Sequence, residues 1–158
     1  MNRKTRQILV TIVGAFVFIS LISACRNIPV LSEWEQWREQ EQTKEANEAI
    51  KTRPEFQEIN NFCSEISKPE SFELVLKRMS FKKEDPYLIF GYSSTMPFED
   101  VESFFLNLEK EGWEVYDRGP SMRSRRIKFK KSRYRFDVEY FGDSSYGNYT
   151  ILCQKMDQ

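Results

Sequence analysis

Histidine is absent from the 158 residues, and cysteine occurs only three times. These absences exclude the usual zinc sites, His-based triads and imidazole acid–base shuttles together. An excess of positive charge is also lacking, since Lys+Arg and Asp+Glu both number 24. Arg3, Lys4 and Arg6 precede residue 25 and the first acidic residue is Glu33, so the remainder of the chain carries three excess negative charges. That balance does not suit a generally basic nucleic-acid binder. No Asp or Glu pair stands out by spacing as an acid and base. The loop Asp143-Ser144-Ser145, without histidine or a clustered acidic set, reads as a turn and not as a metal or nucleophile loop. The chain therefore reads as a non-enzyme with no cofactor, no metal and no evident small-molecule substrate. What is present is aromatic: 15% of the residues, 13 of them Phe, enough for a packed core despite 30% charged residues. The length suits one domain with something left over.

The something left over is the amino terminus. Three basic residues precede an uncharged run from Ile8 to Ala24, a basic n-region before an apolar h-region. The run closes on Leu21-Ile22-Ser23-Ala24-Cys25, and Ile22-Ser23-Ala24-Cys25 resembles the lipobox of bacterial lipoprotein precursors. The resemblance covers the first 25 residues. It implies cleavage before Cys25 and acylation of the cysteine thiol and its new amino group, which supplies the more than one chain that stable anchoring requires. The competing reading retains Ile8–Ala24 as a transmembrane anchor, at the lower limit of spanning length. In both readings the basic residues hold the amino terminus in the cytoplasm and place the rest on the extracytoplasmic side.

Residues 1–24 are thus expected to be a signal peptide or anchor, 25–53 a polar helical tether, and 54–158 a globular domain. In the tether, Ser32-Glu33-Trp34-Glu35 has the form of a capping box and predicts a helix start. Helix-favouring residues continue to Lys51, with Glu41 and Lys44 able to pair. Trp34 and Trp37 suit the headgroup layer of a bilayer, while packing of Trp34 on the domain is the alternative.

In the globular part, Pro54 suits a first helical turn, and Phe56, Ile59, Phe62 and Cys63 follow at helical spacing, predicting a helix over about 54–66. Phe72, Leu74 and Leu76 alternate with polar neighbours toward a turn at Lys82 to Pro86, with a helix over 70–79 as the alternative. Tyr87 to Tyr92 reads as the return strand. Val101, Phe104, Phe105 and Leu108 predict a helix over 97–111, with acidic residues at its start and Gly112 at its left-handed end. Trp113 to Tyr116 then forms a strand, and 117–124 reads as turn-like. A hairpin through Ile127–Phe129 and Tyr134–Tyr140 follows, then a Ser/Gly-rich loop over 142–148 and a last strand over 149–154. The expected fold is α+β with two layers: hairpin, helix and four-stranded antiparallel meander, packed against helix 97–111. The passage Tyr92-Ser93-Ser94-Thr95-Met96-Pro97 into a helix, then Gly112-Trp113 into a strand, looks like small bacterial lipoprotein domains of no assigned activity, a resemblance that transfers no site.

From Arg118 to Arg135 the chain holds nine basic residues and no acidic one. With Lys131-Ser132 as the tip of a two-residue turn, Lys130 faces Arg133, Lys128 faces Arg135 and Arg126 faces Asp137. Like charges opposite one another are unfavourable, so Arg126, Lys128, Lys130, Arg133 and Arg135 form a candidate anion-binding face for an anionic envelope component or an acidic protein. The alternative is a solvated face that guards a sheet edge. Once Cys25 carries lipid, Cys63 and Cys153 are the two thiols left, and export predicts a disulfide between them; two buried free thiols are the alternative. Functionally, the expectation is a membrane-anchored, extracytoplasmic, non-catalytic binding or scaffolding domain of the cell envelope. A lipoprotein immunity factor masking an envelope-targeted toxin, and a single-pass membrane protein with the same external domain, are the other readings.

Overall fold

The computed structural model describes residues 29–82, 85–120, 124–142 and 147–156. The expected signal segment, the lipobox-like Ile22–Cys25, the side chain of Ser32, Arg123 and the Asp143–Ser145 loop lie outside the described residues. The chain divides between Arg38 and Glu39 into two units, inside the first helix, α1 (Pro29–Thr52). That helix begins at Pro29, three residues before Ser32, so Ser32 is interior to the helix and is not its cap. The helix ends at Thr52 because Arg53 precedes a proline and is held extended, at φ −118° and ψ 116°.

In the first unit, Trp34 and Trp37 are exposed. The second unit begins with the rest of α1. Glu41 and Lys44 pair at 3.7 Å, and Ala46 and Ala49 are buried. Thr43 accepts the backbone N–H of Lys77 at 3.2 Å, and Asn47 takes the Lys77 ammonium. The second half of α1 thereby satisfies a backbone N–H on the sheet edge at β1.

Helix α2 (Pro54–Glu65) buries Phe56, Ile59, Phe62 and Cys63. The Lys68 ammonium donates to the carbonyls of Cys63 and Ile66, each at 2.7 Å, closing the helix end. Burial pushes that ammonium's pKa below the ordinary lysine value. Strands β1 (Glu73–Lys82) and β2 (Asp85–Ser93) then form the expected hairpin, so residues 73–82 are strand and not helix. The register shifts between Leu74 and Leu76, leaving Leu74 and Val75 both exposed. Helix α3 (Phe98–Leu106) continues as a 3₁₀ turn over Asn107–Glu111 and ends on Gly112 at φ +87°, the left-handed conformation that favours glycine.

Strands β3 (Glu114–Pro120), β4 (Arg125–Lys131), β5 (Tyr134–Tyr140) and β6 (Tyr149–Lys155) form the expected meander. The expected turn at 117–124 is corrected at its start: Asp117–Pro120 is strand, paired with β4 after a register shift at Tyr116. An edge strand tolerates Pro120, which has no N–H to donate, because no further strand pairs with it there. Strand β6 also pairs with β2, which fuses hairpin and meander into one antiparallel sheet of order β1-β2-β6-β5-β4-β3.

Helices α2 and α3 cover one face of that sheet. The core beneath them includes Leu88, Phe90, Phe105, Phe129, Phe136, Val138, Tyr149 and Ile151, with Phe129 and Phe136 stacked at 4.7 Å. Buried Tyr149 donates its hydroxyl to the Met96 carbonyl at 2.6 Å, which locks the loop before α3 onto β6. Cys63 and Cys153 form a disulfide between α2 and β6, with Cα atoms 6.0 Å apart and a sequence separation of 90. A closed loop of that length restricts the unfolded chain by about 4–5 kcal/mol in the entropy model. The paired substitution Cys63→Ala with Cys153→Ala should therefore lower unfolding free energy by roughly 2–5 kcal/mol. Urea titration of the oxidised protein, the reduced protein and the variant measures this, and equal midpoints would refute it.

Candidate binding surface

Successive strand residues point to opposite faces. The face opposite α2 and α3 carries rows that run across all six strands. Arg78, Ile89, Leu152, Asp137, Lys128 and Asp117 stand in one row; Leu76, Gly91, Thr150, Glu139, Arg126 and Gly119 stand in the next. Gly91 contributes no side chain and Thr150 a short one, so a hollow of about 310 Å³ opens there. Leu76, Ile89, Leu152 and Phe141 give it apolar walls, Asp137 and Glu139 line one side, and Arg78 lies on the other. Leu76 is buried, whereas Phe141 at the rim is 41% exposed. The exposed Leu74 and Val75 lie at the β1 bulge just before Leu76.

The charged half of this face is internally compensated, which corrects the expectation of a basic face without acidic partners. The β4–β5 turn consists of Ser132 and Arg133, with Ser132 left-handed at φ 54°, and Lys131 pairs with Tyr134. Relative to a Lys131-Ser132 tip, the register moves by two residues, so the apolar faces are unchanged but the charged pairs change. Lys128 now faces Asp137 and Arg126 faces Glu139, while Lys130 faces Arg135. This register also stacks Phe129 on Phe136 in the core, and it leaves one like-charged pair, Lys130 with Arg135, where the expected register had two.

Strand β3 supplies further carboxylates. Asp117 lies 3.1 Å from Arg126 and 3.3 Å from Lys128, and Glu114 lies 3.0 Å from Lys130. Arg118 and Arg125 turn to the helix side and pair with Glu102 and Glu99 of α3. Arg133 does not join the outer face either: it reaches Glu58 of α2 at 2.7 Å. Glu58 also accepts the Tyr134 hydroxyl at 2.5 Å and the Lys155 ammonium at 2.7 Å. The Lys155 bond, before the others, holds that carboxyl below its ordinary pKa. Exposed pairs of this kind each contribute little to stability, but together they cancel the field that would draw a distant anion.

Asp137 lines the apolar hollow in the same row as Leu152 and Ile89. It accepts the Tyr116 hydroxyl at 3.3 Å and lies 3.9 Å from the Lys128 ammonium. Burial raises its pKa above the ordinary aspartate value, and the charges of Lys128 and Arg135 only partly offset this. Tyr116 is pushed up to about 12, by burial first and then by the Asp137 charge.

A second cleft, about 440 Å³, lies between α2 and the β4–β5 turn, with Phe62, Trp113 and Tyr134 among its walls. Its Glu58 is already engaged by three donors. Among the described residues, no three Cys, Asp or Glu gather as a metal site, and no helix is long and apolar enough to cross a membrane.

The hollow did not emerge from reading the sequence as one-faced strands. A signal for it exists: Leu88-Ile89-Phe90 and Ile151-Leu152-Cys153 are apolar at every position, so these two central strands are apolar on both faces. The chain matches no protein-family model, and no curated protein or solved structure is similar to it.

Because Asp137 binds its proton more tightly in the folded than in the unfolded state, unfolding free energy should fall as pH rises from the ordinary aspartate range through the raised folded value. Asp137→Asn keeps an acceptor for Tyr116 and removes that contribution. Urea midpoints measured across the mildly acidic range should show a shallower decline in the variant, and identical slopes would contradict the assignment.

Proposed function

We propose that the protein is a membrane-anchored extracytoplasmic lipoprotein whose globular domain is a non-catalytic binding module. The observation that carries this reading is the Cys63–Cys153 disulfide, which belongs with an oxidising compartment. It agrees in direction with the basic n-region, the apolar run and the lipobox-like Ile22-Ser23-Ala24-Cys25. The binding surface is the apolar hollow of the outer sheet face, and its occupant is a partner protein presenting apolar side chains to Ile89, Leu152 and Phe141. An apolar recess bordered by compensated charge favours contact at close range over long-range attraction of a polyanion. Masking of a toxin is one form that such docking would take.

Mass spectrometry of the membrane-bound form should find a mature terminus at acylated Cys25, and Cys25→Ser should leave a larger unprocessed precursor. An intact Met1 on the membrane-bound protein would replace the lipid with a retained transmembrane anchor. For the binding surface, a photoreactive amino acid in place of Phe141 should give a discrete protein adduct in native membranes. That adduct should disappear when Ile89→Lys and Leu152→Lys are introduced into the hollow. Absence of any adduct, or one indifferent to both changes, would refute docking at this face.

A further inference from the structure

Two of the three tryptophans in the chain, Trp34 and Trp37, stand on the first unit's helical segment with 52% and 60% of their surface exposed. The third, Trp113, packs edge-on against Phe136 in the core. Residues three apart on a helix are neighbours on one side of it, so the two indoles form a single apolar patch. Arg38 stands over the Trp34 ring, its guanidinium 4.8 Å from the centroid. Rings with an apolar body and an N–H donor are favoured where one side is apolar and the other wet.

We propose that Trp34 and Trp37 insert into the headgroup layer of the bilayer and hold the start of α1 against the membrane surface. This rests on the proposed anchoring of the preceding segment, by lipid on Cys25 or by the apolar run before it. Chain length argues for the bilayer as the occupant. Pro29 lies four positions after Cys25, at most about 14 Å of extended chain, and the helical rise then places Trp34 only about 7.5 Å and Trp37 about 12 Å further on. Both rings are thus confined near the surface in which the anchor sits.

The charge of the segment specifies the kind of attraction. Glu33 and Glu35 flank Trp34, and Arg38 is the one basic residue from Pro29 to Arg38. Insertion is therefore driven by the rings and not by anionic lipid, unlike a polybasic membrane patch, and it needs neither anionic headgroups nor low salt.

The test uses the full anchored chain reconstituted into zwitterionic phosphatidylcholine vesicles. Trp34→Phe with Trp37→Phe, both at exposed positions, serves as the reference whose subtraction leaves the emission of the two indoles while Trp113 stays in place. That difference emission should shift to shorter wavelength. It should lose more intensity to lipids brominated near the headgroup than to lipids brominated at the chain end, and it should change little when anionic lipid or salt is added. Emission at the wavelength of water-exposed indole, quenched by aqueous iodide and not by brominated lipid, would overturn the insertion while flotation with the vesicles still upheld the anchor. Protection from both quenchers would mean that protein covers the rings and would also overturn it. A chain that fails to float with vesicles would overturn the anchoring reading and this one with it.

Discussion

The pairing of β2 with β6 is the constraint on which the rest of the domain depends. It joins the hairpin of residues 73–93 to the meander of residues 114–155, and without it the two-stranded hairpin would have too little apolar face to persist alone. The same pairing aligns Leu88 with Cys153, Phe90 with Ile151 and Tyr92 with Tyr149, building the center of the core from strands far apart in sequence. Cys153 lies in this central pair, so the disulfide to α2 ties the first helix of the sheet-covering layer directly to the join. Tyr149 ties the other side, through the Met96 carbonyl before α3. Both attachments converge on β6, which makes the last strand the one that sets the positions of both helices.

The two faces of the sheet solve different problems. Under the helices, apolar side chains from alternate positions meet and exclude water, and the polar groups at the margin are matched across elements, as Glu58 is by donors from β5, β6 and the turn between β4 and β5. On the outer face the same alternation continues into apolar residues on β1, β2 and β6, because these strands carry Leu76, Ile89 and Leu152 where β4 and β5 carry charge. The outcome is an apolar hollow beside a patchwork of ion pairs.

Basic residues that crowd one stretch of sequence need not crowd one surface. Arg118, Arg125 and Arg133 turn toward α3 and α2, whereas Arg126, Lys128 and Lys130 turn outward to Asp117 and Glu114 of β3. The carboxylates that compensate the run come from residues 58, 99, 102, 114, 117 and 137, all outside the β4 segment itself. The acidic first turn of α3, read as a complement to the helix dipole, also contributes Glu99 to this compensation.

Local chemistry was legible in the sequence wherever a short pattern had one structural solution. Proline at 54 and the apolar spacing after it specify α2; Gly112 ends the helical segment before β3; period-two alternation specifies the β4–β5 hairpin and the face it buries. The Cys63–Cys153 bond followed from two remaining thiols and the expectation of export. What only the tertiary structure decided are relations between distant segments. The β2–β6 pairing is one, because nothing in a strand's own residues names its neighbour. The β4–β5 register is another, since a two-residue slip preserves the apolar alternation and is settled by Phe129 meeting Phe136 and by charges meeting their opposites. The hollow is the third: Ile89 and Leu152 read locally as more core, and they become an open surface only because α2 and α3 both lie on the other side of the sheet.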